Sequence, residues 1–270
     1  MNADGFQTVV NKRKKKFNFN EKKITSKCDL LDDCATVTES NESALVEAID
    51  ECVQKLKSSL YFESTLRLII EFIKLTPAAT TDLICYGLGS FRDSRCSRYQ
   101  LAFFVLLKDA INYRNISIYD PIFTCYEKHI LSSHYHIDVI SENDRCKRCV
   151  QNGCSLFFMP HCDKILFNNL LWANWNSMCL NNIIIFGNSF QTMVNSMVSR
   201  ATKNEYSYLV KAVDLNLVKE HEIINNFKFN DVFNDLNLHL FPVSEINESV
   251  LKSVYREQPP EYRSDDNDVL

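Results

Sequence analysis

Glycines and small polar residues follow four short apolar runs of this chain. The runs at 83–86, 116–119, 156–159 and 183–186 each end at a turn, and the candidate binding residues at these turns are Gly87, Gly89, Ser90, Asp120, His161, Asn188 and Ser189. Glycines let backbone N–H groups approach a phosphate or a nucleoside, and the other side chains supply a few directed polar contacts. These residue types favour the binding of a small nucleotide-like ligand.

The glycine turn at 87–90 is incomplete as a dinucleotide-binding motif. That motif needs a third glycine, and position 92 is Arg92. It also needs an acidic residue about 20 residues further on, and Asp120 lies well beyond that distance. The sequence therefore does not favour NAD, and a tight strand-to-helix turn is the simplest interpretation of either glycine.

Asp120 has two interpretations that the sequence leaves open. A glycine turn followed by an acidic strand end resembles the layout of class I methyltransferases, in which the acid accepts hydrogen bonds from ribose hydroxyls. Alternatively, Pro121 fixes a turn and Asp120 caps the helix that follows it. The first interpretation predicts a ligand contact and the second a purely structural carboxylate.

His161 and Cys162 are adjacent, which argues against a catalytic pair. A thiol nucleophile needs a base within hydrogen-bond reach, but neighbouring side chains in an extended segment point to opposite faces. His161 is left with two roles, a polar group at a pocket mouth or a buried structural histidine. The sequence assigns no catalytic residue.

Cysteines are numerous, at 11 in the chain. Four of them have partial zinc-ligand spacing, namely Cys146, Cys149, Cys154 and Cys162. A strong zinc motif has two paired CxxC units, and here there is one, so free thiols are the simpler interpretation. The start of the chain has no apolar signal region, and no run approaches the roughly 18 apolar residues of a membrane span, so we expect reduced cysteines and no membrane contact.

Short apolar runs alternate with amphipathic helical patterns from residue 80 onward. This alternation predicts an α/β fold with a mostly parallel, open, Rossmann-like sheet, helices on both of its faces in three layers, and a helical N-terminal extension. The pattern at 208–217 is weaker, and we interpret it as a strand. Parallel strands joined by right-handed crossovers end on one side of the sheet, so the seven candidate residues should line one pocket.

Charge is distributed unevenly, although the net charge of −4 identifies no partner. Residues 1–40 are predicted to be a flexible basic arm, in which Lys12 to Lys16 could act as a nuclear-localisation patch. Residues 41–255 form the predicted single domain, with its core at about 80–190, and 256–270 form an acidic flexible tail. Because no aromatic sheet surface accompanies the basic run, the sequence does not favour direct nucleic-acid binding.

Five segments together carry a family resemblance. They are DGFQTVVNKRKKK near the start, then CYGLGSFRDSRCSRYQLAF, IYDPIFTCYE, LFFMPHCDKILFNNLLWANW and IIIFGNSF. In this order and spacing they resemble the Sensitivity-to-Red-Light-Reduced family. The resemblance covers residues 80–190 and the basic lead-in, and it is weakest in the cysteine-bearing loop at 146–154.

The resemblance implies a regulatory protein rather than an enzyme. It implies a role in circadian-clock input or light signalling, a further role in the regulation of haem biosynthesis, regulatory protein partners, and a location in the cytoplasm and nucleus. No cofactor is assigned. The alternative is an enzyme that binds a nucleotide-type ligand, such as an S-adenosylmethionine-dependent methyltransferase.

Overall fold

The computed structural model describes residues 39–150, 153–242, 248–255 and 258–262. The predicted basic arm, including Lys12 to Lys16, lies outside these ranges except for residues 39–40. The predicted acidic tail lies outside them except for 258–262. Most of residues 41–255 lie within the described ranges, and the bounds of the single domain stay a prediction.

Two helices precede the sheet, as the predicted helical extension requires. They are α1 (Glu39–Lys57) and α2 (Leu60–Leu75). Ser59 starts α2, because its side-chain oxygen accepts a hydrogen bond from the Phe62 N–H group at 3.2 Å. Ile49 and Leu56 are fully buried in the core of the domain, so α1 is an integral part of it.

The sheet has seven strands in the order β3-β2-β1-β4-β5-β7-β6. The strands are β1 (Thr80–Tyr86), β2 (Asn115–Tyr119), β3 (Asp138–Val139), β4 (Cys154–Met159), β5 (Ile183–Asn188), β6 (Lys219–Glu222) and β7 (Leu236–Leu240). The first five are parallel, and β7 is antiparallel to both of its neighbours. The prediction of a mostly parallel open sheet is confirmed. Because β1 pairs with both β2 and β4, the strand order reverses there, and this is the position at which such sheets bind ligands.

Helices cover both faces of the sheet. The remaining ones are α3 (Arg95–Ala110), α4 (Cys125–Ser133), α5 (Lys164–Ala173), α6 (Ser177–Leu180), α7 (Phe190–Ser196), α8 (Arg200–Glu205), α9 (Ser207–Asp214) and α10 (Glu248–Val254). The interpretation of 208–217 as a strand is wrong, since α9 occupies most of it. Its apolar residues form two short runs, 208–210 and 212–213, and such short runs do not distinguish a strand from one face of a helix.

The core has two parts, one on each face of the sheet. Leu156 and Phe158 of β4 point into the part that contains α3, whereas Phe157 and Met159 point into the part that contains α5 and α9. All six residues of β4 are buried. The alternation confirms three layers, with β4 as a central strand covered on both sides.

No helix in the described ranges is long and apolar enough to cross a bilayer.

Candidate functional site

A cleft of about 210 Å³ lies at the carboxyl ends of β1, β2 and β4. We call it the strand-end cleft. Its lining residues are Tyr86, Gly87, Tyr119, Asp120, Pro121, Ile122, Asn143, His161, Cys162, Asp163 and Leu166. Apolar and aromatic side chains form most of its wall, and a few polar groups interrupt them. This composition is typical of small-molecule sites.

The glycine turn beside this cleft is held by its own hydrogen bonds. Gly87 and Gly89 have φ angles of 67° and 79°, in the left-handed region that favours glycine. The Gly87 N–H group donates to the Tyr119 carbonyl at 3.2 Å, and the Gly89 N–H group donates to the Asp120 carboxylate at 2.7 Å. Both amides are therefore committed within the protein, which leaves neither free for a phosphate.

Asp120 connects the turn after β1 with the turn after β2. One carboxylate oxygen accepts from Gly89, and the other accepts from the Ile122 N–H group at 3.0 Å. The side chain is only 6% exposed, and burial raises the pKa of the carboxyl while the two hydrogen bonds oppose that shift. Asp120 thus positions the wall of the strand-end cleft, and a ligand hydroxyl could use only its remaining lone pairs.

His161 is fixed at the cleft wall by Asn188, the last residue of β5. The backbone N–H group of His161 donates to the Asn188 side-chain oxygen at 2.7 Å. The Nε2 atom of its ring lies 3.2 Å from the Val232 carbonyl. Asn188 also donates to the Asp235 carbonyl at 3.2 Å. Asn188 therefore bridges His161 to the segment that precedes β7.

The two candidate serines face other partners. Ser90 donates to the buried carboxylate of Glu127 at 2.9 Å, and Glu127 also accepts the Arg92 N–H group at 3.1 Å. Ser189 accepts the Thr192 N–H group at 3.1 Å and so caps α7. Of the seven candidate residues, the structure brings three to the strand-end cleft, Gly87, Asp120 and His161; a ligand-binding role for any of the seven stays a prediction.

The four cysteines with zinc-like spacing do not share a site. Cys154 is buried on one face of the sheet, whereas Cys146 and Cys162 are buried on the other, and Cys149 is exposed. Within the part of the chain that the structure describes, no three His, Cys, Asp or Glu side chains are grouped to hold a metal ion. The Cys162 thiol donates to the Tyr86 carbonyl at 3.0 Å, and burial raises its pKa far above the usual value, so it stays protonated.

A comparison of the sequence with known protein families identifies the domain. Residues 45–240 match the SRR1 domain, which is well over half of the chain. The chain therefore belongs to the SRR1 domain family.

Three relatives show the extent of the sequence similarity. An SRR1-like protein of Mus musculus is 34% identical over 184 residues, which cover 64% of this chain and 74% of that protein. An SRR1-like protein of Drosophila melanogaster is 25% identical over 242 residues, covering 89% and 83%. The Arabidopsis thaliana protein Sensitivity to Red Light Reduced 1 is 32% identical over 159 residues, covering 56% and 57%. The predicted family resemblance is confirmed.

In this chain, contacts around Asp144 support the strand-end cleft, and sequence reasoning missed them. The Tyr86 hydroxyl donates to the Asp144 carboxylate at 2.7 Å, and Asp144 also accepts the Cys146 N–H group at 2.9 Å. The Arg148 side chain forms an ion pair with Asp144 at 3.3 Å. Asp144 therefore holds the loop that carries Asn143 against the end of β1.

Buried asparagines of α5 and its C-terminal end hold the same loop from the other side. Asn169 donates to the Arg145 carbonyl at 2.9 Å, and Asn174 donates to the Arg148 carbonyl at 2.8 Å. The Val150 N–H group donates to Asn174 at 2.7 Å. The signal in the sequence is a set of asparagines inside an otherwise apolar helical segment, because buried amides need partners.

The methyltransferase alternative rests on the glycine turn and the acidic strand end, and not on the strand order of the sheet. Fold alone does not establish function. The residues at the site fit S-adenosylmethionine poorly, because the amides of Gly87 and Gly89 and both oxygens of Asp120 are in internal hydrogen bonds. The cleft of about 210 Å³ is also smaller than the roughly 300–1,000 Å³ of sites for drug-sized ligands. By volume alone the cleft is better matched to a small ligand than to a whole cofactor.

Replacing Gly87 by alanine will destabilise the domain by about 2 kcal/mol or more. The left-handed backbone costs a non-glycine residue about 1–2 kcal/mol, and the added Cβ would lie 2.6 Å from the Cys162 sulfur. Urea unfolding of Gly87→Ala in the wild-type and Cys162→Ala backgrounds separates the two causes, since only the steric part is relieved when the sulfur is absent. If Gly87→Ala were as stable as the wild-type protein, the left-handed conformation and close packing of Gly87 would be contradicted.

Proposed function

We propose that this chain is a regulatory protein of a light-signalling or circadian-clock input pathway that responds to a small planar ligand in the strand-end cleft. The pathway is suggested by the Arabidopsis relative, whose name refers to sensitivity to red light. The ligand is suggested by the geometry of the cleft. The proposal includes the roles in haem biosynthesis, protein partnership and cytoplasmic and nuclear location that the family resemblance implies.

The observation that carries the proposal is an apolar cleft at the point where the strand order reverses. The Tyr119 ring lines the cleft and is only partly buried, and Ile122 is 58% exposed at the same site. Large exposed apolar side chains beside a concave surface are typical of binding sites. The Tyr119 hydroxyl and the Asn143 amide nitrogen have no protein partner within the described ranges and could recognise polar atoms of a heterocycle such as a purine.

Regulation is favoured over catalysis by the state of the reactive groups. Cys162 is buried with a raised thiol pKa, and Asp120 is engaged through both oxygens. His161 contacts a backbone carbonyl instead of a nucleophile. In the part of the strand-end cleft that the structure describes, these three groups form no pair of nucleophile and base.

Binding of adenosine to the purified chain tests the proposal. We expect adenosine to raise the melting temperature of the wild-type protein, and Ile122→Asp to weaken its affinity about tenfold or more, because a carboxylate replaces an apolar contact. Ile224→Asp is the matched control, since Ile224 is 78% exposed and lies outside the strand-end cleft. Native mass spectrometry of the purified protein shows whether it retains a related molecule.

Three results would decide against this function. The first is an absence of both adenosine binding and any retained small molecule. The second is an equal loss of affinity in the two isoleucine variants. The third is transfer of a labelled methyl group from S-adenosylmethionine, which would favour the methyltransferase alternative.

In cells of the source organism, Ile122→Asp should reproduce the light, clock or haem phenotype of a deletion, whereas Ile224→Asp should not.

A further inference from the structure

A second cleft, of about 520 Å³, lies at the ends of β5, β6 and β7, on the same side of the sheet as the strand-end cleft. We call it the asparagine cleft. Its polar lining is dominated by four asparagines and two carboxylates, Asn225, Asn230, Asn234, Asn237, Glu222 and Asp235. Neither the sequence motifs nor the proposed function of the strand-end cleft accounts for this concentration of amides and acids.

Asn237 is the most informative group in this cleft. The residue is only 7% exposed, it lines the cleft, and its side chain has no hydrogen-bond partner within the described ranges. It stands directly opposite Glu222 in the antiparallel pair of β6 and β7, so the two side chains share one face of the sheet. Buried amides in folded proteins are nearly always hydrogen-bonded to protein or to water, and one that lines a cleft without a protein partner is available to a bound ligand.

The charge of the asparagine cleft selects the kind of ligand. Glu222 and Asp235 are exposed carboxylates that form no ion pair in the described part of the chain. Neither lysine, arginine nor histidine is among the described residues that line the cleft. An anion would be repelled by this lining, whereas a cation would be attracted to it.

The asparagines supply further hydrogen-bond acceptors for a cation that carries N–H groups. Asn225 is occupied in shaping the loop, since it donates to the Asn230 carbonyl at 3.1 Å and accepts the Phe227 N–H group at 3.2 Å. The side chains of Asn230 and Asn234 are exposed and have no partner in the described ranges. Their carbonyl oxygens, with that of Asn237, can accept N–H donors that the two carboxylates leave unpaired.

We propose that the asparagine cleft binds an organic cation that carries N–H donors, a primary ammonium or a guanidinium group. Glu222 and Asp235 supply charge-assisted hydrogen bonds, and Asn237 orients the bound group through its amide. The same chemistry is available from a free amine and from a lysine or arginine side chain of a protein. This site is separate from the strand-end cleft, although Asn188 links Asp235 to His161 between them.

Calorimetry with agmatine, which carries both cationic groups, tests the site on the full-length chain. We expect Asp235→Asn and Glu222→Gln each to weaken binding by about tenfold, because each loses one charge-assisted hydrogen bond. Asp235 has a φ angle of 54°, and asparagine adopts this left-handed conformation readily, so Asp235→Asn should stay folded. Asp138→Asn is the matched control, since it removes an exposed carboxylate from β3 at the opposite edge of the sheet.

Other probes define the class and source of the ligand. A capped Gly-Arg-Gly peptide that binds more tightly than agmatine would identify a protein side chain as the source, whereas tighter agmatine binding would identify a free amine. Absence of binding by both cations would overturn the proposal, as would equal weakening by Asp138→Asn. Binding of erythritol or glutarate in preference to agmatine would overturn the ligand class. Adenosine binding at the strand-end cleft is measured separately and should not change in these variants.

Discussion

Replacing Asn174 by leucine will lower the free energy of unfolding by about 3–5 kcal/mol. Asn174 is fully buried and accepts the Val150 N–H group at 2.7 Å. It also donates to the Arg148 and Leu170 carbonyls at 2.8 and 2.9 Å. Leucine has a similar volume but no polar atom, so these backbone groups lose their partner, at roughly 1–3 kcal/mol for each buried group left unsatisfied.

Urea unfolding and hydrogen exchange measure this effect and locate it. The Val150 amide should exchange much faster in Asn174→Leu than in the wild-type protein, because its acceptor is gone. Asn195→Leu is the control, since Asn195 is exposed on α7. If the two variants had the same stability and Val150 kept its protection, the loop at 145–150 would not depend on Asn174.

The sequence predicted the central part of the fold better than its edge. The strands β1, β2, β4 and β5 are apolar runs that are recognisable locally, and their order follows from right-handed crossovers. In contrast, β6 has the sequence Lys-Glu-His-Glu, which carries no apolar signal. Its pairing with β7 is a long-range contact at an edge, where polar strands are common. Local patterns therefore could not predict the antiparallel addition.

The candidate site shows the same division between local and long-range information. Turn chemistry predicted glycines and polar residues at the strand ends, and Gly87, Asp120 and His161 do line one cleft. The sequence could not predict that the Gly89 amide would be paired with Asp120, or that Ser90 would turn to Glu127. Such pairings are set by how two loops pack, and each decides whether a group remains available to a ligand.

His239 will make the stability of this protein depend on pH between about 6.5 and 4. The side chain is fully buried in β7, and burial lowers the pKa of its imidazole to about 4. Its Nδ1 atom lies 3.1 Å from the Ile185 carbonyl, which can only accept, so the neutral ring carries its proton there. Its Nε2 atom has no hydrogen-bond partner and lies 3.7 Å from the Glu220 carboxylate.

The sign of the effect follows from proton uptake. In the unfolded chain the imidazole gains a proton near pH 6.5, whereas in the folded protein it stays neutral until about pH 4. The unfolded state therefore binds more protons in this window, and stability falls as the pH is lowered, by about 3 kcal/mol over the whole window and about 2 kcal/mol by pH 5. Burial raises the pKa of Glu220, which acts in the opposite direction and offsets part of the loss at the acidic end.

Urea unfolding at pH 7 and pH 5 of the wild-type protein and of His239→Asn measures this contribution. Asparagine keeps a nitrogen donor for the Ile185 carbonyl but does not titrate, so His239→Asn should lose about 2 kcal/mol less stability than the wild-type protein between the two pH values. It will be less stable at pH 7, because the ring that stacks on Phe190 at 4.2 Å is gone. His136→Asn, a change at an exposed histidine, is the control. Equal losses in the wild-type protein and His239→Asn would show that His239 takes up a proton in the folded state, against its complete burial.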